Sequence, residues 1–138
     1  MDMAENISNR TKYLLAGILL VCVLAYLPLI NNGFTNWDDP DQVVNNEDVQ
    51  QLGISGTLSI FSSFYIGMYQ PFTTQVYAFI YSLSGGNATA FHVFSLLVHL
   101  LNVLLVFILV RKFSHQDLPA LIVAGLFALS PMQVESVA

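Results

Sequence analysis

Two long runs without a charged residue, Tyr13–Ile30 (YLLAGILLVCVLAYLPLI) and Ala88–Val110 (ATAFHVFSLLVHLLNVLLVFILV), constrain this chain more than any other feature. Each supplies about 20 mostly apolar residues, the length a helix needs to cross a hydrocarbon core of about 30 Å. The composition of the 138 residues agrees, with 55% hydrophobic, 9% charged and a mean hydropathy of +0.64. These values point away from a solvated globule and toward an all-α, polytopic membrane protein. Arg10 and Lys12 ahead of the first run would also suit a signal peptide. That run is long for such a segment, and no small-x-small cleavage site follows it, so the expectation is an anchor.

A third apolar stretch, 118–134, follows the basic turn RKFSHQD at 111–117 and completes an expected set of three transmembrane helices. The four basic residues sit in two places, Arg10 with Lys12 and Arg111 with Lys112. The positive-inside rule then puts tail 1–12 and turn 111–117 in the cytoplasm and loop 31–87 outside. This describes an integral multi-pass protein of a bacterial inner membrane, or of the endoplasmic reticulum in a eukaryote. Residues 72–83 (FTTQVYAFIYSL) are apolar too, but another span would place Arg111 and Lys112 outside. Their mixture of aromatics, threonines and glutamine suits an interfacial or re-entrant helix in the outer loop, ended by SGGN at 84–87.

Polar residues within the second span are informative because they are costly in lipid. His92, Ser95, His99 and Asn102 follow at steps of three, four and three, which puts them on one helical face expected to turn inward. Hydrogen bonding between helices is the expected role of His99 and Asn102, and a polar substrate cavity the alternative for His92. Two histidines seven apart do not make a metal site without further ligands. Cys22, the single cysteine, can form no internal disulfide and reads as a small apolar residue facing lipid or another helix.

The outer loop carries Asp38, Asp39, Asp41, Glu47 and Asp48 and no basic residue. Asp39-Pro40 has the form of an N-cap followed by proline at the first helical position, with Asp41 near the positive end of the helix dipole. Asp38 has no such local role. It precedes the cap and follows Trp37, near the membrane surface, where reduced solvation favours a carboxylate acting as a base. The spacing lacks the later glycine and glutamate of an EF-hand loop. No basic patch exists for nucleic acid, and no glycine-rich phosphate cradle is present.

The blocks FTNWDDPDQVVNNEDVQQLG, IFSSFYIGMYQPFTTQVYAFIYSLSGGNATAFHVFSLLVHLLNVLLVFILVRK and AGLFALSPMQVESVA, in that order, resemble the amino-terminal part of GT-C-fold membrane glycosyltransferases that carry carboxy-terminal tetratricopeptide repeats. The resemblance begins near Thr11 and rests on a combination: a double Asp after the first span, Tyr-x-Pro-x-Thr, a Phe-His start with a later His-x-x-Asn, and Pro-x-x-x-Glu-Ser-Val-Ala. It implies transfer of a sugar, typically mannose, from a polyprenyl-phosphate carrier to a hydroxyl of a protein or glycan acceptor at the outer or lumenal face. Asp38 or Asp39 would then occupy the catalytic acidic position, and Tyr69, Gln70, His92 and Glu135 would be substrate-binding.

Two departures stand out: Gln70 replaces a frequent basic residue or histidine, and Ser130 and Gln133 replace the histidines of a His-Pro-x-His block. Gln70 can hydrogen-bond a phosphate but cannot pair its charge. The resemblance implies no cofactor beyond the lipid-linked sugar and leaves a divalent metal open. The resembling block is cut at Ala138, so the expectation is a fragment that needs the remaining transmembrane helices for turnover. A small three-span interaction protein or a transporter fragment are the alternatives. In the first, Asp38→Asn leaves assembly intact; in the second, changes at His99 or Asn102 do more harm than changes at Asp38.

Overall fold

The computed structural model describes residues 7–35 and 38–134, and these are all-helical. Helix α1 spans Asn9–Tyr26, α2 Glu47–Gln50, α3 Ile54–Ser62, α4 Pro71–Ser84, α5 Ala88–Ser114 and α6 Asp117–Ala128. The chain divides into two compact units, one built from α1, α6 and α5 from His92 onward, the other from 31–91.

In the first unit, α1 begins earlier than the apolar run because Ser8 caps it: the Ser8 Oγ accepts from the Thr11 N–H at 3.1 Å. The α-helix stops at Tyr26, and a 3-10 turn carries the chain through Leu27–Asn31. Pro28 has no N–H with which to continue the ladder. The run Asn9–Asn31 and α5 are both long and apolar enough to cross a membrane. Helix α5 rises about 40 Å, whereas α6, about 18 Å, falls short of a hydrocarbon core. The apolar stretch 118–134 is thus divided. Ser130 is extended, at φ −65° and ψ 126°, as the residue before a proline prefers, and a 3-10 turn follows over Pro131–Gln133.

Small residues set how these helices pack. Ala120, Ala124 and Ala128 of α6 recur every fourth residue and are fully buried. They share one core with Cys22 and Tyr26 of α1 and Leu96, Val103 and Phe107 of α5. An alanine ridge lets backbones approach closely, the usual device where hydrophobic burial between helices in lipid offers little.

The buried line on α5 runs 92, 96, 99, 103, 107, and it corrects the expectation for the polar stripe. His92 and His99 are buried and Ser95 is half-buried, but Asn102 is exposed. From His99, the step to Val103 turns about 40° one way and the step to Asn102 about 60° the other. Asn102 consequently lies off the packed line, in an open groove of about 510 Å³ with Leu105, Leu109, Lys112 and Phe127.

The second unit is a set of short helices around Val43, Val49, Ile60, Ala78, Ile80 and Phe91. Asn46 caps α2, its Oδ1 accepting from the Asp48 N–H at 3.1 Å. Gly56 is buried where any Cβ would collide with the Gln51 carbonyl oxygen, so α3 approaches the end of α2 only with glycine there. Helix α4 covers the stretch expected at 72–83, with Pro71 at its first position and Gly85 closing it at φ 64°. Asn87 then starts α5, its Oδ1 accepting from the Thr89 N–H at 2.9 Å.

Candidate functional site

The acidic stretch forms a π-helical turn over Pro40–Val44, in which the Asn45 N–H reaches the Pro40 carbonyl at 2.7 Å. Such turns are rare and frequent at functional sites. The turn opens one residue earlier than expected. The Asp38 carbonyl accepts from the N–H groups of Asp41 at 3.1 Å and Gln42 at 2.9 Å. Asp39 is itself helical and makes no cap hydrogen bond with its side chain, which corrects its reading as an N-cap. Its carboxylate points back along the chain instead: Oδ2 accepts from the Thr35 N–H at 2.6 Å and the Thr35 hydroxyl at 3.0 Å.

The two aspartates therefore differ in commitment. Both are half-buried. One oxygen of Asp39 already holds two local donors and ties the turn to the strand of chain before it. Asp38 Oδ2 accepts from the Gln42 side-chain amide at 3.1 Å, a bond within one helical turn that orients the carboxylate. Gln42 is buried, so that orientation is held by packing as well as by the hydrogen bond.

Sequence reasoning missed Tyr77. Burial pushes its phenol pKa up, and the neighbouring charges of Asp38 and then Asp39 push it further. The phenol stays protonated as a hydrogen-bond donor across the physiological range. Its ring packs beside Phe91 at 5.9 Å between centroids, and Phe91 meets Phe34 edge to face at 5.4 Å. The site is thus an acidic turn with a phenol beside it, against an aromatic wall. Only the electrostatic influence of charges 38 and 39 residues away reveals it, and no local spacing signals that.

The other candidates are engaged elsewhere. Tyr69 is exposed and donates to the Phe61 carbonyl at 2.9 Å, with its ring 5.4 Å from that of Phe64. The Gln70 carbonyl accepts from both the N–H and hydroxyl of Thr74, each at 3.1 Å, while its side chain makes no cap bond. Among the described residues, no hydrogen bond or ring contact joins Tyr69 or Gln70 to the aspartates. His92 belongs to the α1–α5–α6 unit, where it is buried and its Nε2 has no hydrogen-bond partner among the described residues. Glu135 lies outside the described residues. Among those described, no three His, Cys, Asp or Glu side chains converge on a position that could hold a metal ion.

A second tyrosine pair shows how the unit is braced. The Tyr65 hydroxyl donates to Asp48 Oδ2 at 2.6 Å, and burial, then the Asp48 carboxylate, push its pKa up to about 12. Compared with known proteins, the chain matches no protein-family profile, no curated protein and no solved structure.

Proposed function

We propose that the chain carries the first outer loop and early helices of a GT-C-type membrane glycosyltransferase. In this reading, the enzyme moves a sugar, mannose by resemblance, from a polyprenyl-phosphate carrier to an acceptor hydroxyl at the outer or lumenal face. The tail 1–12 and the turn 111–117 are cytoplasmic, and the loop 31–87 faces the acceptor.

The observation that carries the proposal is the difference between the two aspartates. Asp39 is committed to Thr35 through both bonds on Oδ2, whereas Asp38 is oriented by a single amide. Asp38 is accordingly the base. It takes the proton of the acceptor hydroxyl while that oxygen attacks the anomeric carbon, and the carbon–oxygen bond to phosphate breaks. The phosphate leaves with the bonding pair and needs no strong acid, so one carboxylate suffices. Attack opposite the leaving group inverts the anomeric centre. Tyr77, held protonated, is placed to donate a hydrogen bond to an oxygen in the same space.

Asp38→Asn in the intact enzyme, with the remaining transmembrane helices present, tests this with a lipid-linked sugar donor and a hydroxyl acceptor. Transfer falls by about 10²-fold or more, with unchanged membrane insertion. Full activity in this variant rejects Asp38 as the base and transfers the role to Asp39.

A further inference from the structure

Neutral amides recur at every fourth position after the proposed base: Asp38 is followed by Gln42, Asn46 and Gln50. Side chains four residues apart are neighbours on a helical turn, so each can reach the turn before it. Gln42 holds residue 38 twice, its N–H donating to the Asp38 carbonyl at 2.9 Å and its side-chain amide to Asp38 Oδ2 at 3.1 Å. Asn46 in turn holds Gln42. Its Nδ2 donates to the Gln42 carbonyl at 3.3 Å, while its Oδ1 accepts from the Asp48 N–H at 3.1 Å. Gln50 fastens the far end of the π-helical turn, donating to the Val44 carbonyl at 2.7 Å.

Burial separates the first two amides from ordinary loop residues. Gln42 is 9% exposed and Asn46 7%, whereas Gln50 is open to solvent. A primary amide placed inside a protein is costly unless it is hydrogen-bonded. Here two of them, one turn apart, form a chain whose donors all point toward Asp38. Hydrogen bonds linked in this way polarise one another, and the packing around them leaves few other orientations.

Charge shows what such a chain accomplishes. The 31–91 unit contains five carboxylates and no lysine, arginine or histidine. Where hydrogen bonds hold these carboxylates among the described residues, the donors are neutral: Thr35 for Asp39, Tyr65 for Asp48 and Gln42 for Asp38. A cation beside Asp38 would orient it equally well, but would also stabilise its ionised form and weaken it as a proton acceptor. An amide fixes the direction of the carboxylate and leaves its charge uncompensated.

We propose that Gln42, backed by Asn46, is the positioning residue for the base: it holds the Asp38 carboxylate in the direction from which it takes the acceptor's proton, without neutralising it. This rests on the assignment of Asp38 as the base. Gln42 itself gives up and receives no proton; it acts through Asp38.

The test is a double-mutant cycle in the intact enzyme, with the remaining transmembrane helices present, a lipid-linked sugar donor and a hydroxyl acceptor. Gln42→Met keeps the length and burial of the side chain and removes its donor, with circular dichroism and membrane insertion checking the fold. It should lower kcat by about tenfold and change KM by less than about twofold. In an Asp38→Asn background the same substitution should have no further effect, because the group it positions is gone. Asn46→Ser keeps a cap for α2 but loses the reach to Gln42. It should lower kcat by about threefold alone and leave the Asp38→Asn background unchanged. Gln42→Glu supplies a readout that altered packing does not move. Adjacent carboxylates bind a shared proton more tightly than one does alone, so the acid limb of the kcat profile should shift to higher pH. Asp39 and the Tyr77 phenol, the ionisable groups beside Asp38, are retained in every variant.

Parental kcat in Gln42→Met overturns the proposal. An equal loss in both backgrounds overturns it too, as does an acid limb that stays in place in Gln42→Glu. If Gln42→Met does not fold, Asn46→Ser and Gln42→Glu decide alone. Full activity of Asp38→Asn removes the base and this proposal with it; a loss in Asp38→Asn beside parental kcat in Gln42→Met removes the proposal alone.

Discussion

His99 closes the carboxyl end of α6. Its Nε2 lies 3.1 Å from the Ala128 carbonyl oxygen, and since a carbonyl only accepts, that nitrogen carries the proton. The imidazole is held between Tyr26, edge-on at 5.3 Å, and Phe127, stacked at 5.5 Å. Terminal carbonyls of a helix have no partner within it, and in a buried apolar setting each unmet one costs about 1–3 kcal/mol. His99→Leu leaves that carbonyl only the weak Cys22 thiol donor at 3.5 Å and should lower stability by about 1 kcal/mol in a detergent-solubilised unfolding titration, and His99→Gln, which keeps a donor, should recover part of the loss. From spacing alone His99 and Asn102 were equivalent members of one polar stripe. The structure separates them because the packed line on α5 turns away from Asn102. Asp38 stood out in the sequence by elimination, whereas Tyr77 read only as an interfacial aromatic; its electrostatic link to residues 38 and 39 depends on the tertiary fold.

Helix ends were readable wherever a short-range rule governs them. Gly85 closes α4 within the SGGN stretch expected to end it, whereas the span expected over 118–134 ends at Ala128, short of Pro131. The Asp39-Pro40 signal misled, because Thr35 offers the Asp39 carboxylate two donors at once, more than the single N–H a cap would provide. Gly56 carries the clearest prediction for an element. The α2–α3 approach leaves no room for a methyl group against the Gln51 carbonyl, so Gly56→Ala must push the helices apart. A cost of about 1–3 kcal/mol is expected, whereas Ala gains over Gly in an unconstrained helix. Thermal unfolding of the variant decides between the two signs. The nearby Tyr65–Asp48 bond should change with it, as a lower phenol titration point in the ultraviolet.

Across the α1–α5–α6 unit, three chain segments meet at one carboxylate. Asp117, in the first turn of α6, accepts from the Thr11 hydroxyl at 2.5 Å and from Arg111 Nε at 2.7 Å. These two hydrogen bonds, Thr11 first, hold its pKa below the ordinary carboxylate value. A depressed carboxylate contributes stability that is present above its unfolded pKa of about 3.9 and is lost as pH falls through the lower folded value. Asp117→Asn should therefore unfold at a lower temperature than the parent near neutral pH. The two melting curves should converge in acid below the folded pKa. A constant difference at every pH would assign the residue a packing role instead.

Taken by itself, the sequence determined that this chain is helical and that two segments are long and apolar enough to span a bilayer. Those properties sum over contiguous residues: each turn closes its own hydrogen bonds, and transfer free energy accumulates along a run. The tertiary structure alone decided which polar groups meet. Asp39 turning to Thr35, Tyr77 approaching the acidic turn, His99 closing α6 and Asn102 left in an open groove all depend on how helices rotate about their axes. A rotation of a few tens of degrees exchanges the partners of a side chain while leaving helix length, hydropathy and local spacing unchanged, so no pattern along the chain records it.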